Sequence, residues 1–179
     1  MNFKICISIS KTIFLGAIMF LLTAFGYREP HYCKITDRIV DNYVKEYAKP
    51  RRLSLTGYGG AMMDDIQIID FSFLSFEALN VEEARILYVE MMEEFLQRIN
   101  AHEKIRPHLH NFPFEVANIK LSIAFEDSER KITSDGHMAL MYIGRNQDLV
   151  YRGHDVETDE FYSLHREPYA EARKIVMGK

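Results

Sequence analysis

The segment "LNVEEARILYVEMMEEFLQRINAHEKIRP", Leu79 to Pro107, constrains the rest of the chain more than any other. Ala84, Leu87, Tyr88, Met91, Met92, Phe95, Leu96 and Ile99 recur at three- and four-residue intervals and form a broad apolar stripe on one side of a helix. Asn80 and Glu83 stand at the N-cap and third helical positions, the spacing of a capping box. Pro107 forbids continuation. The stripe reads as core, so the helix is expected to lie across one face of a sheet.

The strands that supply that sheet flank the helix. "RRLSLTGY" alternates with Leu53 and Leu55 on one face, and "IQIIDFSF" does so with Ile69, Phe71 and Phe73; a loop, "GYGGAMMDD", joins them. After the helix, "NIKLSIAFE" alternates Ile119, Leu121, Ile123 and Phe125 with polar neighbours, and "HMALMYI" and "DLVYR" flank a turn, "GRNQ". These three read as antiparallel. Upstream, Ile39, Val40, Tyr43, Val44 and Tyr47 predict a short helix opened by Thr36 or Asp37 and closed before Pro50. Downstream, an acidic loop, "GHDVETDE", leads to a last helix opened by Pro168. The expected fold is α+β: an antiparallel sheet of about five strands, a long central helix on one face, and shorter N- and C-terminal helices. Residues 27–179 show no repeat or linker and read as one domain.

The N-terminus carries an address. Lys4 and Lys11 precede "TIFLGAIMFLLTAFGY", Thr12 to Tyr27, which has no charge, and Ala24 and Gly26 stand at −3 and −1 of a cut before Tyr27. Residues 1–26 are expected to be a signal peptide, with the domain periplasmic or secreted. The alternative is an uncleaved inner-membrane anchor, although this run falls short of the ~20 residues a spanning helix needs. Membrane contact is expected only through this segment. Without it, 20 basic residues face 26 acidic ones, and the basic ones are scattered. No surface suited to a phosphate backbone is left, so nucleic acid is not an expected partner. Cys33 is then the one remaining cysteine, and the fold must stand on packing without disulfides.

Four stretches invite a chemical reading. In "IRPHLHNFPF", Ile105 to Phe114, an extended backbone would put His108 and His110 on one face, as a zinc ligand pair requires. A third ligand from His102, His137 or His154 is not fixed by any spacing, and two prolines with an Asn suit a tie from helix to sheet, anchored by Phe112 and Phe114. The glycines of "GYGGAMMDD" do not open into a helix, so no phosphate cradle is expected. They read instead as a hairpin connection needing positive φ, with Tyr58, Gly59, Gly60, Met62, Met63, Asp64 and Asp65 as a ligand- or partner-binding lip. Cys33, just upstream of the first helix, lacks any cysteine-protease signature. "DVETDE" begins like a calcium loop, but Glu160 and Arg166 stand where the motif needs glycine and a bidentate acid. The motifs G-x-S-x-G, H-E-x-x-H and C-x-x-C are absent from the sequence.

At "LTGYGGAMMDDI", "EEARILYVEMMEEFLQRIN" and "IRPHLHNFPF" the chain resembles a poorly characterised group of small exported proteins from intracellular bacteria. The resemblance implies export and a shared fold, and it carries no activity. The leading expectation is an exported, non-enzymatic binding domain of the bacterial envelope or secretome, without cofactor, with a protein or small-molecule partner at the Tyr58–Asp65 lip. The rival is a zinc-dependent envelope hydrolase using His108 and His110.

Overall fold

A computed structural model describes residues 30–133 and 137–178. The expected leader over residues 1–26 and its cut before Tyr27 lie outside the described residues. Among the described residues, no helix is long and apolar enough to cross a membrane.

The compact unit that begins at His31 holds three helices and one six-stranded sheet. In chain order these are α1 (His31–Tyr43), β1 (Leu53–Ala61), β2 (Ile68–Ser75), α2 (Val81–Ala101), β3 (Ile119–Phe125), β4 (Leu140–Ile143), β5 (Asp148–Asp155), β6 (Glu160–Pro168) and α3 (Tyr169–Met177). The strands lie side by side in sequence order. The α+β class is as expected, but the sheet is mixed and has a sixth strand.

Every neighbouring pair is antiparallel except β2 and β3, which run parallel with Ile69 opposite Ile119, Phe71 opposite Leu121 and Phe73 opposite Ile123. α2 is the crossover between them, and a crossover of that length is what a parallel neighbour requires. The sixth strand comes from the stretch between the acidic loop and Pro168, to which the sequence pattern assigns no element. β6 is an edge strand, exposed along most of its length, so its sequence shows no apolar alternation.

α2 packs on the sheet as its stripe dictates. Phe95 meets Phe71 edge-on at 4.6 Å, Tyr43 of α1 meets Phe95 at 5.2 Å, and the Tyr88 hydroxyl donates to the Leu121 carbonyl at 2.6 Å. The capping box is formed: Glu83 N donates to Asn80 Oδ1 at 2.9 Å and Asn80 N to Glu83 Oε2 at 3.0 Å. α3 is tied to α2 by Glu93, which accepts from Arg173 at 2.8 and 2.9 Å and from the Tyr169 hydroxyl at 3.0 Å.

Two boundaries differ from the sequence reading. α1 begins at His31, so Thr36 and Asp37 lie inside it; the Thr36 hydroxyl donates to the Tyr32 carbonyl at 2.9 Å and does not cap. α1 then runs through a π-turn over Val44–Ala48 and a 3₁₀ turn over Lys49–Arg51, and Arg52 at φ 59° reverses the chain into β1. α2 stops at Ala101, well before Pro107, which instead occupies the 3₁₀ turn Arg106–His108.

Candidate functional site

The glycines expected to form a loop belong to β1. Gly57, Gly59 and Gly60 all pair with β2, and none has a positive φ. The reason for Gly60 is close approach: a Cβ there would lie 2.1 Å from the Ile68 carbonyl oxygen. The true loop is Met62–Gln67, closed by a hydrogen bond from Gln67 N to the Ala61 carbonyl at 2.9 Å.

That loop is fastened to the connection after α2. Ile66, fully buried, forms a parallel bridge to Leu109: Ile66 N donates to the His108 carbonyl at 2.8 Å, and His110 N donates to the Ile66 carbonyl at 3.0 Å. Beside this bridge, Asp65 Oδ2 and His110 Nδ1 stand 2.7 Å apart. The hydrogen bond from His110 holds the Asp65 carboxyl below its ordinary range. The first turn of α1 closes the constellation from the other side. The Tyr32 hydroxyl donates to the Met63 carbonyl at 2.8 Å, its ring lies 5.0 Å from that of His108, and Cys33 Sγ faces the Met62 carbonyl at 4.0 Å. Cys33 therefore sits within α1 rather than upstream of it.

The structure thus brings together the loop and the connection that the sequence offered as separate candidates. Their tip is apolar: Met63 is 80% exposed and Phe112 56% exposed, with the Arg106 guanidinium 5.2 Å from the Phe112 ring centre. Phe112 does not anchor the connection in the core as expected; Phe114 alone does so, at 2% exposure. Asp64 is exposed on the same rim, and Met62 and Tyr58 both pack partly against the core. Burial, then the nearby Asp37 carboxylate, pushes the Tyr58 hydroxyl well above its ordinary range.

His108 and His110 do not converge. A 3₁₀ turn precedes Leu109, so the pair lacks the extended backbone that shared facing requires, and each ring has its own partner: Tyr32 for His108, Asp65 for His110. His154 pairs with Asp159 at 3.0 Å on another part of the sheet. Among the described residues, no group of three or more His, Cys, Asp or Glu could hold a metal ion. At "DVETDE", the Asp155 carboxylate accepts from the amides of Glu157 and Thr158 at 2.8 and 3.1 Å, which makes it a turn-former between β5 and β6.

One feature was invisible in the sequence. On the sheet face opposite the helices, an open groove of about 560 Å³ is lined by Asp70, Ser72, Lys120, Ser122, Tyr142 and Arg145, with the Ser72 and Ser122 hydroxyls bonded at 2.9 Å. Asp70, Ser72, Lys120, Ser122 and Tyr142 occupy outward positions of β2, β3 and β4 and Arg145 lies in the turn after β4, which in sequence look only like a solvated face. The chain matches no protein-family model, no curated protein and no solved structure.

Proposed function

We propose that this protein is an exported binding module that captures a protein partner on the lip formed by Met62–Asp65 and His108–Phe112. One observation carries the reading. Two segments far apart in sequence are locked by the Ile66–Leu109 bridge and the Asp65–His110 pair, and the rigid edge so made holds Met63 and Phe112 out in water. Exposed apolar side chains on a fixed frame lose little entropy on binding, which is how a small surface gains affinity. Asp64 and Asp65 at the rim favour a partner with an apolar hollow bordered by basic residues. The uncharged run after Lys11 supports export of the domain.

The test is site-specific photo-crosslinking in the native cell from positions 63 and 112, with Ile175 on α3, also well exposed at 62%, as the control position. A discrete adduct from 63 and 112 but not from 175 supports the lip; equal labelling, or none, refutes it. N-terminal sequencing of the same material separates export from anchoring: a start near Tyr27 supports a cleaved leader, and an intact start supports the membrane-anchored alternative.

A further inference from the structure

A strand at the edge of a sheet presents a row of unpaired N–H and C=O groups, and folded proteins blunt such edges with charges, prolines and bulges. The two edges of this sheet are treated differently. β6 carries Glu160, His165, Arg166, Glu167 and Pro168, and its pairing with β5 shifts register at Tyr151/Arg152. β1 is "LSLTGYGGA", nine residues with no charge and no proline, interrupted only where the register shifts between Leu55 and Gly57. Among the described residues, the backbone of β1 bonds only to β2 and to Gln67 at the loop. Among the described residues, nothing pairs with its other side.

What flanks that side decides what can be added. The first turn of α1 reaches the loop after Ala61, and the π-turn that follows α1 packs on β1. Cys33 Sγ faces the Met62 carbonyl just past β1, and Asp37 and Asp41 follow Cys33 at one-turn intervals on the same side of α1, where their charges act on the Tyr58 hydroxyl. Neither aspartate has an ion-pair partner among the described residues. A strand laid on β1 sends every second side chain to this inner face, where it meets Tyr58 and the two carboxylates. A second copy of the chain is a poor occupant, since pairing two β1 edges about a twofold axis normal to the sheet would set each copy's aspartates against the other's.

We propose that the outer edge of β1 takes an extended peptide segment carrying lysine or arginine, which joins the sheet as a seventh strand with its basic side chains against Asp37 and Asp41. This interaction goes beyond the lip and stands or falls without it.

The experiment measures fluorescence anisotropy of the full chain with a labelled nine-residue peptide in which valine alternates with threonine and lysine. Two derivatives carry N-methyl groups on one or the other alternating set of amides, because only one set can face β1. The expected result is binding that one N-methylated set abolishes and the other leaves within about twofold, and that weakens about tenfold when glutamate replaces lysine. The Asp37→Asn/Asp41→Asn variant, checked for folding by circular dichroism, should bind the lysine peptide at least about fivefold more weakly. Absence of binding, indifference to both N-methylated sets, equal affinity for the glutamate peptide or an unaltered Asp37→Asn/Asp41→Asn variant overturns the proposal. So does a dimer paired through β1 that the peptide fails to displace.

Discussion

Replacing Arg85 with methionine tests how the sixth strand is held to the long helix. Arg85 Nε donates to Glu167 Oε1 at 2.8 Å, and the same oxygen accepts from the Tyr151 hydroxyl at 2.5 Å; the Arg85 and Glu167 side chains are 13% and 8% exposed. Burial opposes ionisation of Glu167, but the hydrogen bonds from Arg85 and Tyr151 outweigh it, and the carboxyl stays below its ordinary range. Methionine preserves the packing of the stem and removes the charge, leaving the His165 imidazole at 3.7 Å from Glu167 Oε2. Stripping one partner from a buried pair costs about 3–5 kcal/mol. The variant escapes part of that by protonating Glu167 in the folded state, at about 3.7 kcal/mol at pH 7 and about 1 kcal/mol at pH 5. In the parent protein the stabilisation from Glu167 is present above its unfolded value and is lost only as pH falls through its lowered folded value, so from pH 7 to 5 this group changes nothing. The expected loss is therefore about 3 kcal/mol at pH 7, shrinking to about 1 kcal/mol at pH 5. Urea unfolding followed by circular dichroism should show the midpoint falling by about 1.5–2 M at pH 7. The Arg85→Met/Glu167→Leu double variant should recover most of the loss. A pH-independent difference, or one below about 1 kcal/mol at pH 7, would refute the reasoning.

Gly60→Ala should destabilise by about 1–3 kcal/mol in thermal unfolding, because its Cβ would meet the Ile68 carbonyl, whereas Gly59→Ala meets nothing within 4 Å and should stay within about 0.5 kcal/mol. Phe114→Ala should cost about 3–5 kcal/mol and Phe112→Ala almost nothing by the same measurement, with the loss of partner capture in the reverse order. Carbon-detected NMR titration should find Asp65 protonating at lower pH than an ordinary aspartate, and His110→Ala should move it back up. Its contribution to stability is present above the ordinary aspartate value and is lost as pH falls through the lowered one, below about pH 4.

What the sequence discloses follows from where each signal lives. Asn80, Glu83 and the stripe from Ala84 to Ile99 act within one or two helical turns, and the helix forms with that cap and that buried side. β3 alternates cleanly because one of its faces is core. β6 has no buried face to announce it, and the groove around Ser72 and Lys120 is assembled from three strands at outward positions. The glycines of β1 misled for a related reason: Gly60 answers to the Ile68 carbonyl on the facing strand, a contact that local sequence does not contain. At the lip, the residue types of both segments were legible, but the Asp65–His110 pair spans 45 positions and depends on the sheet that brings its halves together.

The parallel seam between β2 and β3 also sets a schedule for folding. Ser72 and Ser122 meet across it from 50 positions apart, so it closes only after α2 and its connection exist, at a loop-closure cost that adjacent hairpins avoid. The strands from β3 to β6 form a meander that can assemble from neighbours alone. Until β3 arrives, the β1–β2 hairpin must therefore wait with only α1 to cover Phe71 and Phe73, through Tyr43, and with one edge of β2 unpaired. In that interval the chain is most exposed to aggregation and most in need of a chaperone.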